Sequence, residues 1–202
     1  QKFSINNVEY SIHYLNMAHR IDFLSNIFNF NKINSYFEIG GGFGANIHFI
    51  LNNFKNIKKI LYLDIVPNIY VGTQYLKTFY KDNVKDYLQL KEKKKISFSN
   101  NNDLEILCIP PWLIEKLDLQ IDHFHNANSF VEMTDEIIKN YCHFIKKFNT
   151  KEIALITYDN HNPDTTFEPS LLNKYFDNKL KLNQENLLIN EYKRNLLFLT
   201  SR

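Results

Sequence analysis

The 202-residue chain predicts an α/β fold, a mostly parallel sheet closed by a C-terminal antiparallel hairpin. Three observations carry this expectation. Short apolar runs of strand length alternate with patterns of helical period. The first run breaks into a glycine-rich turn that opens a helix, and four of the chain's 5 glycines fall within Gly40 to Gly44. Two β-type runs near the end, Leu187 to Ile189 and Leu196 to Thr200, flank a polar stretch and read as a hairpin.

The elements follow in order. Residues 1–34 are expected to form an N-terminal helical segment, with Leu15, Ala18, Phe23, Leu24, Ile27 and Phe28 at helical spacing between Tyr14 and Phe30. Residues 35–202 are the α/β domain. Its first strand is Tyr36 to Ile39, followed by a helix with the stripe Ile47, Ile50, Leu51 and Phe54. The second, Lys59 to Ile65, is nearly all apolar, as a parallel strand covered on both faces should be. Pro67 opens a helix carrying Ile69, Thr73, Leu76 and Tyr80. Lys91 to Lys95 is a charge run that reads as a solvated connection. Strand three is Leu104 to Ile109, stopped by Pro110-Pro111, and strand four is Leu117 to Phe124. The next helix bears Ile137, Ile138, Tyr141, Cys142, Ile145 and Phe148, with acids in its first turn and lysines in its last. Strand five is Glu152 to Tyr158.

Composition excludes several classes. With 44% hydrophobic and 23% charged residues the chain is that of an ordinary globular domain. A net charge of +2 supplies no field for nucleic acid. No apolar stretch is long enough to span a bilayer, so membrane insertion is not expected and the cytoplasm is the expected location. Cys108 and Cys142 sit in apolar patterns and read as buried thiols. The chain begins at Gln1 rather than Met, and a trimmed N-terminus is an expectation. Nothing in the sequence specifies an oligomeric state.

The chemistry starts at Glu38-Ile39-Gly40-Gly41-Gly42-Phe43-Gly44. A strand that ends in such a turn brings bare backbone N–H groups up to a ligand. Asp64 ends the second run, where an acid suits a ribose diol. Glu38 suits an ammonium group, since a carboxylate beside a pyrophosphate repels it. This E-x-G-x-G-x-G with a following strand-Asp resembles the first two motifs of the S-adenosylmethionine-dependent methyltransferases of the Rossmann-like class I. The resemblance implies that fold, that cofactor, and cofactor contacts from Glu38, Gly40, Gly41, Gly42, Gly44, Asp64, Ile65, Ile109 and Asn126 in a domain spanning 35–202.

Further segments narrow it: Asp64-Ile65-Val66-Pro67-Asn68-Ile69-Tyr70 with Gln74-Tyr75-Leu76, Ile109-Pro110-Pro111, Asn126 with Ser129-Phe130-Val131-Glu132-Met133, and the ending Leu196 to Arg202. Together they resemble the sugar O-methyltransferases of bacterial surface-polysaccharide gene clusters, from about Tyr36 onward. That implies a sugar or nucleotide-sugar acceptor in capsule or lipopolysaccharide synthesis. His123 and His125 stand where that family is apolar, so no family role transfers to them.

Methyl transfer to a hydroxyl requires alignment and usually removal of its proton. Ligands in open α/β sheets lie beyond the carboxyl ends of the strands. That rule favours His125 and His161 as general base, with Glu132 beside the acceptor or cofactor. His13, His19, His48 and His143 fall in helices and read as surface or packing residues. Asp122, Asp159 and Asn160 resemble the magnesium ligands of catechol-type O-methyltransferases, so Mg²⁺ is an alternative activator but not the favoured one. Three other readings stand beside these. Gly40-x-Gly42-x-x-Ala45 also fits a looser NAD(P) fingerprint of an oxidoreductase. Ile109-Pro110-Pro111-Trp112 is similar to a base-methylating motif but lacks its leading hydrogen-bonding residue. A catalytically inactive subunit with a methyltransferase fold is the third.

Overall fold

The computed structural model describes residues 2–158, 168–185 and 195–200. The chain opens with an antiparallel hairpin, β1 (Lys2–Ile5) and β2 (Val8–Ser11), turned through Asn6 and Asn7 at φ 51° and 65°. Asparagine tolerates that region because its short amide bonds locally. The hairpin is mostly exposed, and its signal in the sequence is the alternation of Phe3, Ile5, Val8 and Tyr10 with polar residues around Asn6-Asn7. Ser11 then caps α1 (Ile12–Ile27), its Oγ accepting from the Tyr14 N–H at 3.1 Å. Met17, Ile21 and Leu24 are the buried face of α1.

The sheet begins at β3 (Ser35–Ile39), followed by α2 (Ala45–Asn53), β4 (Lys59–Leu63) and α3 (Asn68–Tyr80), with Pro67 at the start of α3. A two-residue strand, β5 (Val84–Lys85), and a short helix, α4 (Tyr87–Leu90), come next. The sequence signal for α4 is a capping box, in which Asp86 and Gln89 satisfy each other's backbone N–H groups. Then come β6 (Glu105–Ile109), β7 (His123–Ala127), α5 (Asp135–Lys147), β8 (Glu152–Tyr158), α6 (Leu172–Tyr175), β9 (Leu180–Glu185) and β10 (Asn195–Thr200).

Eight strands lie in the order β5-β6-β4-β3-β7-β8-β10-β9, with β10 antiparallel to both neighbours and the other pairs parallel. Every residue of β3 and β4 is buried, as continuous strands between two helical layers must be. Side chains alternate between layers. Tyr36, Ile60 and Tyr62 pack with Ile21, Ile47 and Leu76 of α1 to α3, while Phe37, Ile39, Leu61 and Leu63 pack with Ile138, Tyr141 and Ile145 of α5. β9 is an edge whose exposed face carries Lys181, Asn183 and Glu185. Cys108 and Cys142 are buried free thiols.

Two expectations need correction. The fourth strand does not cover 117–124. Leu117 pairs with Ile96 in an isolated bridge, and the Ile121 N–H bonds to the Phe148 carbonyl. The chain joins the sheet only at His123, because the register with Tyr36 to Glu38 is carried by polar residues that do not look like a strand. The hairpin is present, but its first arm is Leu180–Glu185; Leu187 to Ile189 lies outside the described residues.

Asp122 also belongs to the scaffold. It sits before β7, at the amino ends of the strands, where Oδ2 accepts from the Asn34 and Ser35 N–H groups at 2.8 and 3.0 Å. Oδ1 pairs with Lys151 Nζ at 2.7 Å. Against a burial penalty that would raise it, these bonds hold the carboxyl below its usual range. Its stabilisation is therefore complete above the unfolded value of about 4 and fades as pH falls through the lower folded one. Asp122→Ala should cost about 1–3 kcal/mol of unfolding free energy at neutral pH. Urea titrations of variant and parent should converge in acid.

Candidate cofactor and acceptor site

The strand order reverses between β3 and β7, and at that switch point β3 ends in the glycine turn. Gly40, Gly42 and Gly44 adopt φ of 74°, 59° and 85°, conformations that a side chain would strain. Strand β4 braces the turn from below. The Gly40 N–H bonds to the Leu63 carbonyl at 2.9 Å, and the Gly42 N–H to Asp64 Oδ2 at 2.7 Å. Asp64 Oδ1 accepts from the Ile65 N–H at 2.7 Å. The Tyr62 hydroxyl donates to the carbonyls of Gly42 and Asn68. The fifth glycine, Gly72, makes room for this ring, since a Cβ there would lie 2.3 Å from the Tyr62 hydroxyl oxygen. A Cβ on Gly42 would meet no atom within 4 Å, so the space above it is open to a ligand.

Glu38 lies beneath the turn, 4% exposed. Its Oε1 accepts from Asn46 Nδ2 at 2.9 Å, and its Oε2 has no hydrogen-bond partner among the described residues. Burial raises its pKa to about 7, the Asn46 bond and the Arg20 charge opposing and Asp64 adding. Asn126 is also buried and ties β7 to β3, its Nδ2 donating to the Ile39 carbonyl at 2.9 Å and to Ser129 Oγ. Ser129 in turn closes over Gly40, where a Cβ would lie 2.2 Å from its Oγ.

Two recesses meet at Gly40. The larger, about 670 Å³, is lined by Asp64, Ile65, Trp112, Glu115, Glu132, Ile137 and Tyr141 among others. Its size suits a nucleoside. It carries three acids and no lysine, arginine or histidine, an environment that repels a pyrophosphate and so opposes the NAD(P) reading. Burial raises the Asp64 pKa, the Ile65 and Gly42 N–H groups resisting and the Glu132 charge adding. The smaller recess, about 490 Å³, runs between α1 and the turn past His13, Asn16, Arg20, Glu38, Phe43, Asn128 and Tyr158.

The structure sorts the expected site residues. Glu38, Gly40 to Gly42, Asp64 and Ile65 line these recesses together, and Gly44 caps α2. Ile109 is wholly buried in the core, and Pro111 and Trp112 line the cavity beyond it. Glu132 belongs to the larger cavity with Asp64. His125 is not at a strand end. It lies in the middle of β7, fully buried, 6.1 Å from the Tyr36 ring, with no partner for either ring nitrogen. Burial, then Arg20 and His123, push its pKa well below the ordinary histidine value, so a sealed neutral ring stands where a rim base was expected. His123 shares that face, further inside, between Phe28 and Tyr36. His161, Asp159 and Asn160 lie outside the described residues. Asp122 sits at the amino end of the sheet, away from the glycine turn, with its carboxylate taken up by Asn34, Ser35 and Lys151. Among the described residues no group of three or more His, Cys, Asp or Glu is arranged to hold a metal. The histidine that does reach a recess is His13, on the first turn of α1, its ring 6.3 Å from that of Phe43. It escapes a strand-end search because a helix outside the βα units carries it.

The chain is similar to the magnesium protoporphyrin IX methyltransferase of Synechocystis PCC 6803, solved with bound S-adenosylmethionine, at TM-score 0.60 and 10% identity over 95% of this chain and 80% of that one. It is similar also to the mitomycin 7-O-methyltransferase, at TM-score 0.57 and 10% identity over 94% and 54%. The human N-acetylserotonin methyltransferase in complex with S-adenosylmethionine matches at TM-score 0.52 and 10% identity over 95% and 56%. The chain has the class I methyltransferase fold. It spans about half the length of the latter two enzymes, at 54% and 56%. No family model and no curated protein sequence matches it.

Gly72→Ala tests the bracing of the turn. The added methyl would overlap Tyr62, and the expected cost is about 1–3 kcal/mol of stability in urea titration. Combining it with Tyr62→Phe should reduce that penalty, since the closest atom is then gone.

Proposed function

We infer that the chain is an S-adenosylmethionine-dependent O-methyltransferase acting on a sugar hydroxyl, in a bacterial surface glycan or its nucleotide-activated precursor. The observation that carries the cofactor assignment is Glu38, a buried carboxylate with one oxygen unpartnered, directly under a turn of bare glycine backbone. Such a group takes an ammonium ion and rejects a phosphate. The residues present fit this cofactor. Glu38 would hold the amino group, Asp64 the ribose diol, and Ile65 and Trp112 the base, with Asn126 and Ser129 keeping the floor at Gly40 closed. When bound, the cofactor supplies a methyl group on a cationic sulfonium centre.

The smaller recess is the acceptor side of this reading. His13, Asn16, Asn128 and Tyr158 offer donors and acceptors to a polyhydroxylated ligand, and Asn128 Oδ1 is buried without a hydrogen-bond partner among the described residues. The sugar itself is supported by the segment Ser129 to Met133, which carries the sequence resemblance and whose Ser129, Glu132 and Met133 line the larger cavity. His13 is the assigned general base, taking the hydroxyl proton on its imidazole as the oxygen attacks. Glu132, on the nucleoside side, orients the cofactor.

Two measurements test this. Glu38 ionises near pH 7 in the free protein, so affinity for S-adenosylhomocysteine should rise with pH through about 7 by calorimetry. Because the folded value lies above the unfolded one of about 4.3, the ligand-free protein should also lose stability as pH rises between the two. Glu38→Gln should flatten both trends and weaken binding about 10- to 100-fold at high pH. Unchanged affinity in that variant would refute the cofactor assignment.

For the acceptor, nucleotide-activated sugars are screened by mass spectrometry for gain of one methyl group. With the sugar so found, His13→Ala should lower kcat by about 10²- to 10⁴-fold while leaving S-adenosylhomocysteine affinity unchanged. Full turnover in that variant removes His13 from the mechanism.

A further inference from the structure

A third recess, about 460 Å³, lies beside the larger cavity and shares Trp112 with it. Val66, Ile69, Tyr70, Tyr87, Leu88 and Pro110 give it mostly apolar walls, with Thr73 and the Lys77-paired Asp86 as its polar members. Its rim is not a concealed core. Leu88 is 70% exposed, Tyr70 66%, Val66 63% and Trp112 59%. Leu88 stands on α4, and the Tyr87 and Trp112 rings meet edge to face at 6.0 Å. A contiguous exposed patch of this kind marks an interaction surface.

The charge around it is unlike that of the rest of the chain. Residues 77–95 hold seven lysines against Asp82, Asp86 and Glu92, a net of +4, where the whole chain is +2, so everything else sums to −2. Lys77 is paired with Asp86 and Lys95 with Asp118. Lys81, Lys93 and Lys94 have no ion-pair partner among the described residues. Lys81 and Lys85 line a recess with Gln89 on one side of α4, and Lys91 to Lys94 follow directly from its end. Apolar and aromatic side chains on and beside α4, with unpaired lysines before and after that helix in the chain, match the boundary of an anionic bilayer, where rings and aliphatic tips sit among headgroups and lysines meet phosphates. A protein partner for so basic a rim would need a strongly acidic surface around an apolar one; the mixture of Tyr, Trp, Leu and Lys favours lipid.

We propose that this face docks the protein on an anionic membrane surface, with Leu88 and Tyr70 entering the headgroup layer and Lys81, Lys93 and Lys94 over the lipid phosphates. Because Trp112 borders both recesses, docking brings the mouth of the larger cavity to the membrane.

Flotation with vesicles of phosphatidylcholine, with and without phosphatidylglycerol, tests the docking without any activity. The full chain should float only with the anionic vesicles, and less so as salt is raised. Lys93→Gln with Lys94→Gln should lower partitioning about 30-fold, since each lysine near an anionic surface contributes about fivefold. Leu88→Ser should lower it at least about tenfold. All three positions are exposed and outside the cofactor cavity, so S-adenosylhomocysteine affinity should stay at the parent value. Absence of vesicle binding by a chain that still binds S-adenosylhomocysteine would overturn the docking and leave the cofactor assignment standing. Concentration-dependent self-association abolished by Leu88→Ser, without vesicle binding, would overturn it in favour of a second copy.

Discussion

The bond from the Gly42 amide to the Asp64 carboxylate joins the carboxyl ends of two neighbouring strands, and the rest of the site is built around it. Left alone, a glycine-rich turn samples many conformations, because glycine loses more freedom on ordering than any other residue. Here the turn is held at three places by β4: Leu63 takes the Gly40 N–H, Asp64 the Gly42 N–H, and Tyr62 reaches the Gly42 carbonyl. The second strand is thus a support for the first as well as the source of an acid, Asp64, that lines the larger cavity. Asp64 does both with one carboxylate, since each oxygen that accepts a backbone N–H retains a further lone pair.

A buried polar layer lies under this turn. Arg20 from α1, Tyr36 and Glu38 from β3, Asn46 from α2 and His125 from β7 meet there. Desolvation is the dominant influence on all four ionisable members. It lowers Arg20 and His125 and raises Tyr36 and Glu38, which moves each toward its neutral form. A cationic ligand group at the turn opposes that drift for Glu38 by supplying the opposite charge within reach. On the proposed reading, the binding of such a group and the ionisation of Glu38 are one coupled event.

Position relative to the sheet separates residues that look equivalent in the chain. Asp122 and Glu38 are both acids beside β-strands, yet one locks the amino ends of β3 and β7 and the other opens onto the smaller recess. His125 and His13 are reversed in the same way. The residue on the central strand is sealed by the helical layer, and the one on the peripheral helix opens onto a recess.

The sequence by itself determined the alternation of β3, α2, β4 and α3, the glycine turn, Asp64 and α5, because each is written in local terms: an unbroken apolar run, a helical stripe, a residue with φ > 0, a charge at a helix end. Glu38 was legible for the same reason, lying two residues before the first glycine. Tertiary structure alone decided the rest. The register of β7 is set by bonds to Tyr36 and Glu38, not by its own polar residues, so its start and the burial of His125 have no local signature. The pairing of Tyr62 with Gly72, the closure of Ser129 over Gly40 and the approach of His13 to the turn join residues remote in the chain. Such contacts depend on how two helical layers settle on one sheet, a matter of packing between elements that no pattern within a single element encodes.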